Sequence, residues 1–252
     1  MTHAIFGVRL DDIRSRHELR ARCSAFLAGE RAHLIFTPNP NILLLARTDP
    51  EYVALLNSAD LLLPDGIGIL LMQRLRGERP VRRWPGVDAA ELLLGLMARE
   101  GGTVLVLGGH QRVAQAAAER VRRRWPALTI ETGAGSVVFR DDGTALSTDD
   151  EVEIERLIKQ VEPQVVLVSL GAPKQERWIH RHAGSFPSVR IMMGIGGALD
   201  MWAGRLPRAP RLVSGLGLEW LWRLTLQPSR FPRAVRATLH FPWYALGERS
   251  RR

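Results

Sequence analysis

Residues 103–121 read Thr103-Val104-Leu105-Val106-Leu107-Gly108-Gly109-His110-Gln111-Arg112-Val113-Ala114-Gln115-Ala116-Ala117-Ala118-Glu119-Arg120-Val121. The first five residues carry no charge and are rich in Val and Leu, the pattern of a strand covered on both faces. Gly108-Gly109 breaks the run. Val113, Ala117 and Val121 then recur at i, i+4 and i+8, so the next segment is a helix with one apolar face. A buried strand, a glycine turn and an amphipathic helix make half of a βαβ unit.

The same alternation extends in both directions. His33–Phe36 and Ala59–Leu63 read as short buried strands, separated by an apolar-rich helix after Pro50. Asp88–Arg99 is expected to be helical, with Leu92, Leu93 and Leu96 on one face. Leu128–Glu131 is a further strand, and residues 133–150, with three glycines, form a loop and candidate lobe boundary. A helix follows from the capping pattern Thr148-x-x-Glu151, carrying Ile154, Leu157, Ile158 and Val161. Gln164–Leu170 and Val189–Met193 are strands that each end in glycine. The expected fold class is therefore α/β, a Rossmann-like mostly parallel sheet flanked by helices, spanning residues 1–204. After Gly204 the strands stop, and Pro, Arg and Trp become frequent. Residues 205–252 read as a helical appendage with helices over Leu212–Leu226 and Pro232–Leu246.

Composition narrows the function. The 252 residues are 46% apolar and 24% charged, ordinary for a folded domain. One cysteine, Cys23, excludes an intrachain disulfide and sits in an apolar pattern as a buried thiol. Asp11 and Asp12 argue against a signal peptide, and no uncharged apolar run is long enough to span a bilayer. The net charge is +9, and residues 205–252 hold ten Arg against two Glu, a balance of +8. The basicity is thus a property of the appendage. Arginine suits diphosphates, anionic lipid heads and nucleic acid. Trp220, Trp222, Phe231, Phe241, Trp243 and Tyr244 interleave with it, a combination suited to an anionic membrane interface. A packed helical subdomain with a solvated basic rim is the alternative.

In open α/β sheets ligands bind beyond the C-terminal ends of the strands. The expected loops there are residues 37–41, Pro64-Asp65-Gly66, Gly108-Gly109-His110, Gly171–Glu176 and Gly194–Gly197. Asp65, directly after an apolar strand, is the candidate general base; a cap on the following helix is the competing reading, and spacing alone leaves both open. Gly108, Gly109, Gly196 and Gly197 allow backbone N–H groups to approach a phosphate, and each equally suits a packing turn. None sits in a G-x-G-x-x-G fingerprint, so a nicotinamide enzyme gains little support. His180 and His182, two apart on a helix, point to different sides, and there is no D-x-D pattern. No metal site is expected.

In order along the chain, these segments resemble the WecG/TagA/CpsF family of bacterial glycosyltransferases. The resemblance rests on Thr37-x-Asn39, Ala59-Asp60-Leu61 leading to Asp65-Gly66, Arg83-x-x-Gly86-x-Asp88 and Leu107-Gly108-Gly109. It continues through Gly171-x-Pro173-Lys174-Gln175-Glu176, Gly194-x-Gly196-Gly197-x-x-Asp200, Ala203-Gly204, Arg208-Ala209-Pro210, Gly217-Leu218-Glu219-Trp220 and Pro228-x-Arg230. It implies a metal-independent, cofactor-free, inverting transfer from a UDP-sugar donor to a polyprenyl-diphosphate-linked saccharide acceptor at the inner face of the cytoplasmic membrane. The donor sugar is N-acetylmannosamine, its uronic acid or glucose. By the same resemblance Asp65 is the base and Thr37 and Asn39 line the acceptor and sugar side. Arg83 is a pocket residue, Gln175 contacts substrate, and Arg211, Arg223 and Arg230 neutralise the departing diphosphate. The appendage is expected to meet the membrane and close the site. Pro38 and Pro40 make the first loop richer in proline than that resemblance predicts. A nucleic-acid-binding protein is the reading suggested by the sequence pI of about 11.1, but the charge is confined to the appendage and no binding motif accompanies it.

Overall fold

The computed structural model of the chain describes residues 3–135, 137–210, 213 and 218–249, without the side chains of residues 223, 230, 248 and 249. The chain enters on a hairpin, β1 (His3–Ile5) and β2 (Val8–Leu10), turning at Phe6 and Gly7, whose φ angles are 52° and 77°. Helix α1 (Arg16–Leu27) follows, capped by the Ser15 hydroxyl, which accepts from the Glu18 N–H.

Six strands then form one parallel sheet: β3 (His33–Phe36), β4 (Leu61–Leu62), β5 (Thr103–Gly108), β6 (Thr129–Gly133), β7 (Val165–Ser169) and β8 (Ile191–Gly194). Their order is β4-β3-β8-β7-β5-β6, every neighbouring pair parallel. Between them run α2 (Pro40–Ala46), α3 (Pro50–Asn57), α4 (Ile67–Leu75), α5 (Gly86–Glu100), α6 (Gln111–Arg124), α7 (Thr148–Val161), α8 (Lys174–Arg181) and, after β8, α9 (Ala198–Trp202).

The period of two along each strand divides the core. Val104 and Val106 of β5 and Val165 and Leu167 of β7 join one apolar cluster with α1, α5, α6 and α9. Leu105, Leu107, Val166 and Val168 face the other side, with the hairpin and α2, α3, α4, α7 and α8. Both faces of the central strands are covered, which is why β5, β7 and β8 read as uninterrupted apolar runs, while edge strand β6 exposes Thr129 and Glu131. Cys23 lies in the first cluster, where burial pushes its thiol up to about 12 and leaves it inert at neutral pH.

The expected α/β class holds, with four local corrections. The helix expected to start from Thr148 is capped by Ser147, whose hydroxyl accepts from Asp149 N–H, while Glu151 reaches back to the N–H of Ala145. Residues 133–150 do not divide the chain into lobes, because β6 before them and β7 after them both pair with β5. Pro40 is not in an open loop; it occupies the first turn of α2, where a missing N–H costs nothing. The hairpin, α1 and α4 carry weak periodicity and give no clear signal in the sequence.

Among the described residues no strand follows β8. Helix Glu219–Leu226 replaces the expected Leu212–Leu226, whose first residues lie largely outside the description. The last stretch is one continuous rod, α-helical over Phe231–Val235, a π turn over Arg236–His240 and α-helical over Phe241–Arg249. It packs back on the core. Phe241 and Ala245 are fully buried, Phe241 meets Phe6 edge-on at 6.0 Å, and Arg76 donates to the Ala245 carbonyl. Arg47 lies 3.8 Å over the Tyr244 ring. At the near end of the segment Arg208 pairs with Asp88 in the first turn of α5.

Where β3 and β4 begin, Asp60 accepts from Leu34 N–H at 3.0 Å and pairs with Arg31 and His33. Burial works to raise its pKa, but these partners outweigh it and hold the carboxyl below its ordinary 3.8. A carboxyl depressed on folding contributes stability that is complete above that value and is lost as pH falls toward the folded pKa. Asp60→Asn is therefore expected to flatten the loss of stability below about pH 4. Denaturant melts of both proteins between neutral pH and about pH 3 check this; parallel curves would reject it.

Candidate active site

With all six strands parallel, their C-terminal ends share one edge, and the loops leaving β4, β3, β8, β7 and β5 stand in that order. At about 4.8 Å per strand, the Asp65 loop and the Gly108 loop are separated by roughly 19 Å along it. The edge therefore has an Asp65 end and a glycine end.

The Asp65 end is tightly built. Asp65 is half-buried, and its N–H donates to Pro38 O at 2.8 Å, tying the loops after β3 and β4 together. Its Oδ2 accepts from Gly86 N–H at 3.4 Å, at the first turn of α5. Trp84 N–H donates to Pro64 O at 2.8 Å, and the Trp84 indole donates to Ile13 O. Gly66 has φ 114°, a conformation open to glycine, and a Cβ there would stand 3.0 Å from the Pro40 ring. The second proline is thus a wedge between the two loops. Gly66, not Asp65, is the N-cap of α4, and no side chain caps that helix. The helix-cap reading of Asp65 is displaced by a bond to a different helix.

Thr37 shares this corner, since a Cβ on Gly86 would come within 3.0 Å of its Oγ1. Arg83 is half-buried on the connection leading into α5. Asn39 caps α2, its carboxamide oxygen accepting from Asn41 and Ile42 N–H. Thr37, Asp65 and the start of α5 are brought together; Asn39 adjoins them through α2. Arg211 lies outside the described residues, as do the side chains of Arg223 and Arg230.

The glycine end is shaped by the protein itself. Gly108 and Gly109 have φ 91° and 72°, and a Cβ on Gly108 would meet Ser169 O at 2.8 Å and Leu170 at 2.6 Å. On Gly109 it would meet Leu199 at 2.5 Å. Close packing alone accounts for these glycines. The connections leaving β5 and β7 run to opposite sides, to β6 and to β8, so this is also a topological switch point, the position at which open α/β sheets bind ligands.

Between the two ends lies a buried polar chain that the sequence had not disclosed. Gln175 and Glu176 are 4% and 1% exposed. Glu176 accepts from Gln175 Nε2 at 2.7 Å and from the Tyr52 hydroxyl at 3.0 Å, while Gln175 Oε1 accepts from Gly196 N–H at 3.1 Å. Burial drives the Glu176 pKa upward against those donors. It also raises that of Tyr52, with the Glu176 charge adding to it. Gly197 follows as the N-cap of α9. The signal for Glu176 was its place beside Gln175; nothing local pointed to Tyr52.

His180 is exposed and bonds the Ser58 hydroxyl at 3.0 Å, whereas His182 is buried against Trp178 and Glu151. They face apart. A cleft of about 420 Å³ lies among Arg16, Arg20, Arg99, Arg124 and Trp125, and none of the candidate site residues lines it. Among the described residues, no helix is long and apolar enough to cross a membrane.

Comparison with known proteins adds an independent line. The model for the "Glycosyl transferase WecG/TagA/CpsF family" matches residues 3–252. A protein of Bacillus subtilis strain 168 is 32% identical over 213 residues, covering 84% of this chain and 77% of its own. One of Staphylococcus aureus strain NCTC 8325 is 29% identical over 231 residues, covering 91% and 86%. Both bear the name N-acetylglucosaminyldiphosphoundecaprenol N-acetyl-beta-D-mannosaminyltransferase.

Proposed function

The chain belongs to the WecG/TagA/CpsF family of glycosyltransferases, and from that premise we propose that it moves N-acetylmannosamine from UDP to an N-acetylglucosamine carried on a polyprenyl diphosphate. The class, a glycosyltransferase, follows from the family. The donor and acceptor rest on the relatives' names. The observation that carries the mechanism is the pinned, half-buried Asp65 at the junction of the loops after β3 and β4.

In this reading the acceptor hydroxyl approaches Asp65, which takes its proton as the oxygen attacks the anomeric carbon. One displacement inverts the configuration and breaks the bond to UDP, so no second carboxylate nucleophile is required. Thr37 and Asn39 face the sugar and acceptor side and Arg83 the pocket. Positive charge from Arg211, Arg223 and Arg230 offsets the charge growing on the leaving diphosphate, without a metal ion. The Gly108–Gly109 and Gly196–Gly197 turns border the donor.

The rod of residues 231–249 supports a membrane-surface role. Leu239, Trp243 and Leu246 are 64%, 77% and 44% exposed on the side away from Phe241 and Ala245. Exposed Leu71 and Leu75 of α4 add to the apolar surface. Such a face, set among arginines, fits the headgroup layer of an anionic membrane. We place the enzyme at the cytoplasmic face of the bacterial membrane, with residues 205–252 as its contact with lipid and its closure over the site.

The test is a donor screen on a synthetic lipid-diphosphate N-acetylglucosamine, scoring UDP release with and without EDTA. Release from UDP-N-acetylmannosamine, unchanged by EDTA, is expected. Preference for the uronic acid or for glucose would reassign the donor, and loss of activity in EDTA would overturn the metal-independent step.

A further inference from the structure

We propose that Glu176 is a positioning residue that sets the Gly194–Gly197 turn through Gln175, with Tyr52 anchoring it from behind. The proposal rests on the functional reading above only in placing that turn beside the transfer site.

The geometry leaves the Gln175 amide one orientation. Both groups facing Glu176 are donors: the Tyr52 hydroxyl on Oε2 and Gln175 Nε2 on Oε1. With Nε2 committed there, the amide oxygen must point to Gly196 N–H, 3.1 Å away. Rotating the amide would set its oxygen against the carboxyl group and its NH₂ against a backbone donor. The carbonyl of Gly196 is held as well, accepting from the Ser169 hydroxyl at 2.7 Å. Gly196 is therefore gripped at both its N–H and its C=O by side chains from the end of β7 and the start of α8.

The grip is matched to glycine. Gly196 has φ 46°, and a Cβ on Gly194 would lie 2.8 Å from Gln175 Nε2. The turn lies flat against the amide that orients it. With both amide ends committed and only 4% of its surface exposed, Gln175 acts by shaping the turn rather than by touching the sugar. Buried, hydrogen-bonded chains of this kind favour one conformation.

The experiment compares the full-length protein with Gln175→Leu, Glu176→Leu and Glu176→Gln, following hydrogen exchange at the Gly196 amide and steady-state transfer from UDP-N-acetylmannosamine. Gln175→Leu is expected to speed exchange at Gly196 about tenfold, the loss of one hydrogen bond, with protection in β5 and β7 kept. The same variant should lower kcat about tenfold while the donor KM stays within about twofold. Glu176→Leu should behave alike. Glu176→Gln should restore both readings, since its oxygen still accepts from Gln175 and its nitrogen donates to the Tyr52 oxygen.

Unchanged exchange at Gly196 in the Gln175→Leu protein would overturn the relay, as would loosened exchange with full kcat. A rise in KM alone would make Gln175 a direct substrate contact instead. If Glu176→Leu does not fold, Gln175→Leu and Glu176→Gln still decide the matter. Should wild-type protein transfer no sugar while exchange responds as expected, the functional reading fails and the relay stands.

Discussion

Asp65→Asn is expected to lower kcat by about 10²–10⁴-fold, the range over which a positioned general base acts. The substitution is nearly isosteric. Its amide oxygen can still accept from Gly86 N–H, so the bond from the β4 loop to α5 survives. The link from Asp65 N–H to Pro38 O is backbone and is untouched. What disappears is the ability to take a proton. Thermal melts should coincide with wild type within a degree or two, and donor KM should change little. Asp65→Ala removes the acceptor as well and should add a small stability loss to the same defect. A well-folded Asp65→Asn protein turning over at the normal rate would remove Asp65 from the chemistry.

Removing residues 205–252 is expected to abolish measurable transfer and also to weaken the remaining domain. The second effect comes from the docking of the terminal rod. Phe241 is fully buried against the Phe6 corner and α4, so Phe241→Ala alone should cost about 3–5 kcal/mol. Truncation leaves that apolar surface open and strips Arg208 from Asp88 and the Ala245 carbonyl from Arg76. Urea melts and a lipid-acceptor assay on the truncated and Phe241→Ala proteins separate the two contributions. Full transfer by the truncated core would show that the appendage is dispensable. An unaltered melting curve for Phe241→Ala would show that the rod does not dock in solution.

The sheet was legible because its central strands are buried on both faces. Thr103–Leu107 and Val165–Ser169 carry no charge to interrupt them, and each meets a glycine where the chain must turn. The place of Asp65 at the strand-end edge was legible for a related reason, as a carboxylate that closely follows such a run. Boundaries set by single hydrogen bonds were not legible. Ser147 and Thr148 are equally good caps on paper, and only the bond from Asp149 N–H to the Ser147 hydroxyl separates them. Pro40 looked like loop chemistry, because nothing in residues 37–41 reveals that the ring packs on Gly66. The Tyr52–Glu176 bond joins residues 124 positions apart, and no periodicity encodes so distant a partner. The hairpin escaped because three-residue strands hold too few alternations to register.

The π turn at Arg236–His240 lets the terminal rod carry one extra residue. A π turn holds one residue more than an α turn, and each residue of a helix advances about 100° around its axis. Five residues in the π turn therefore cover about the rotation that four cover in an α-helix, so deleting a single residue within 236–240 would restore a uniform helix and leave the Phe231–Val235 half facing nearly the same way relative to the half seated by Phe241. The aromatic ring of Phe231, 61% exposed, would keep its direction while Phe241 stayed in its socket. The turn thus works as a slack link, and relatives differing here by one residue would present the same surface from an unchanged anchor.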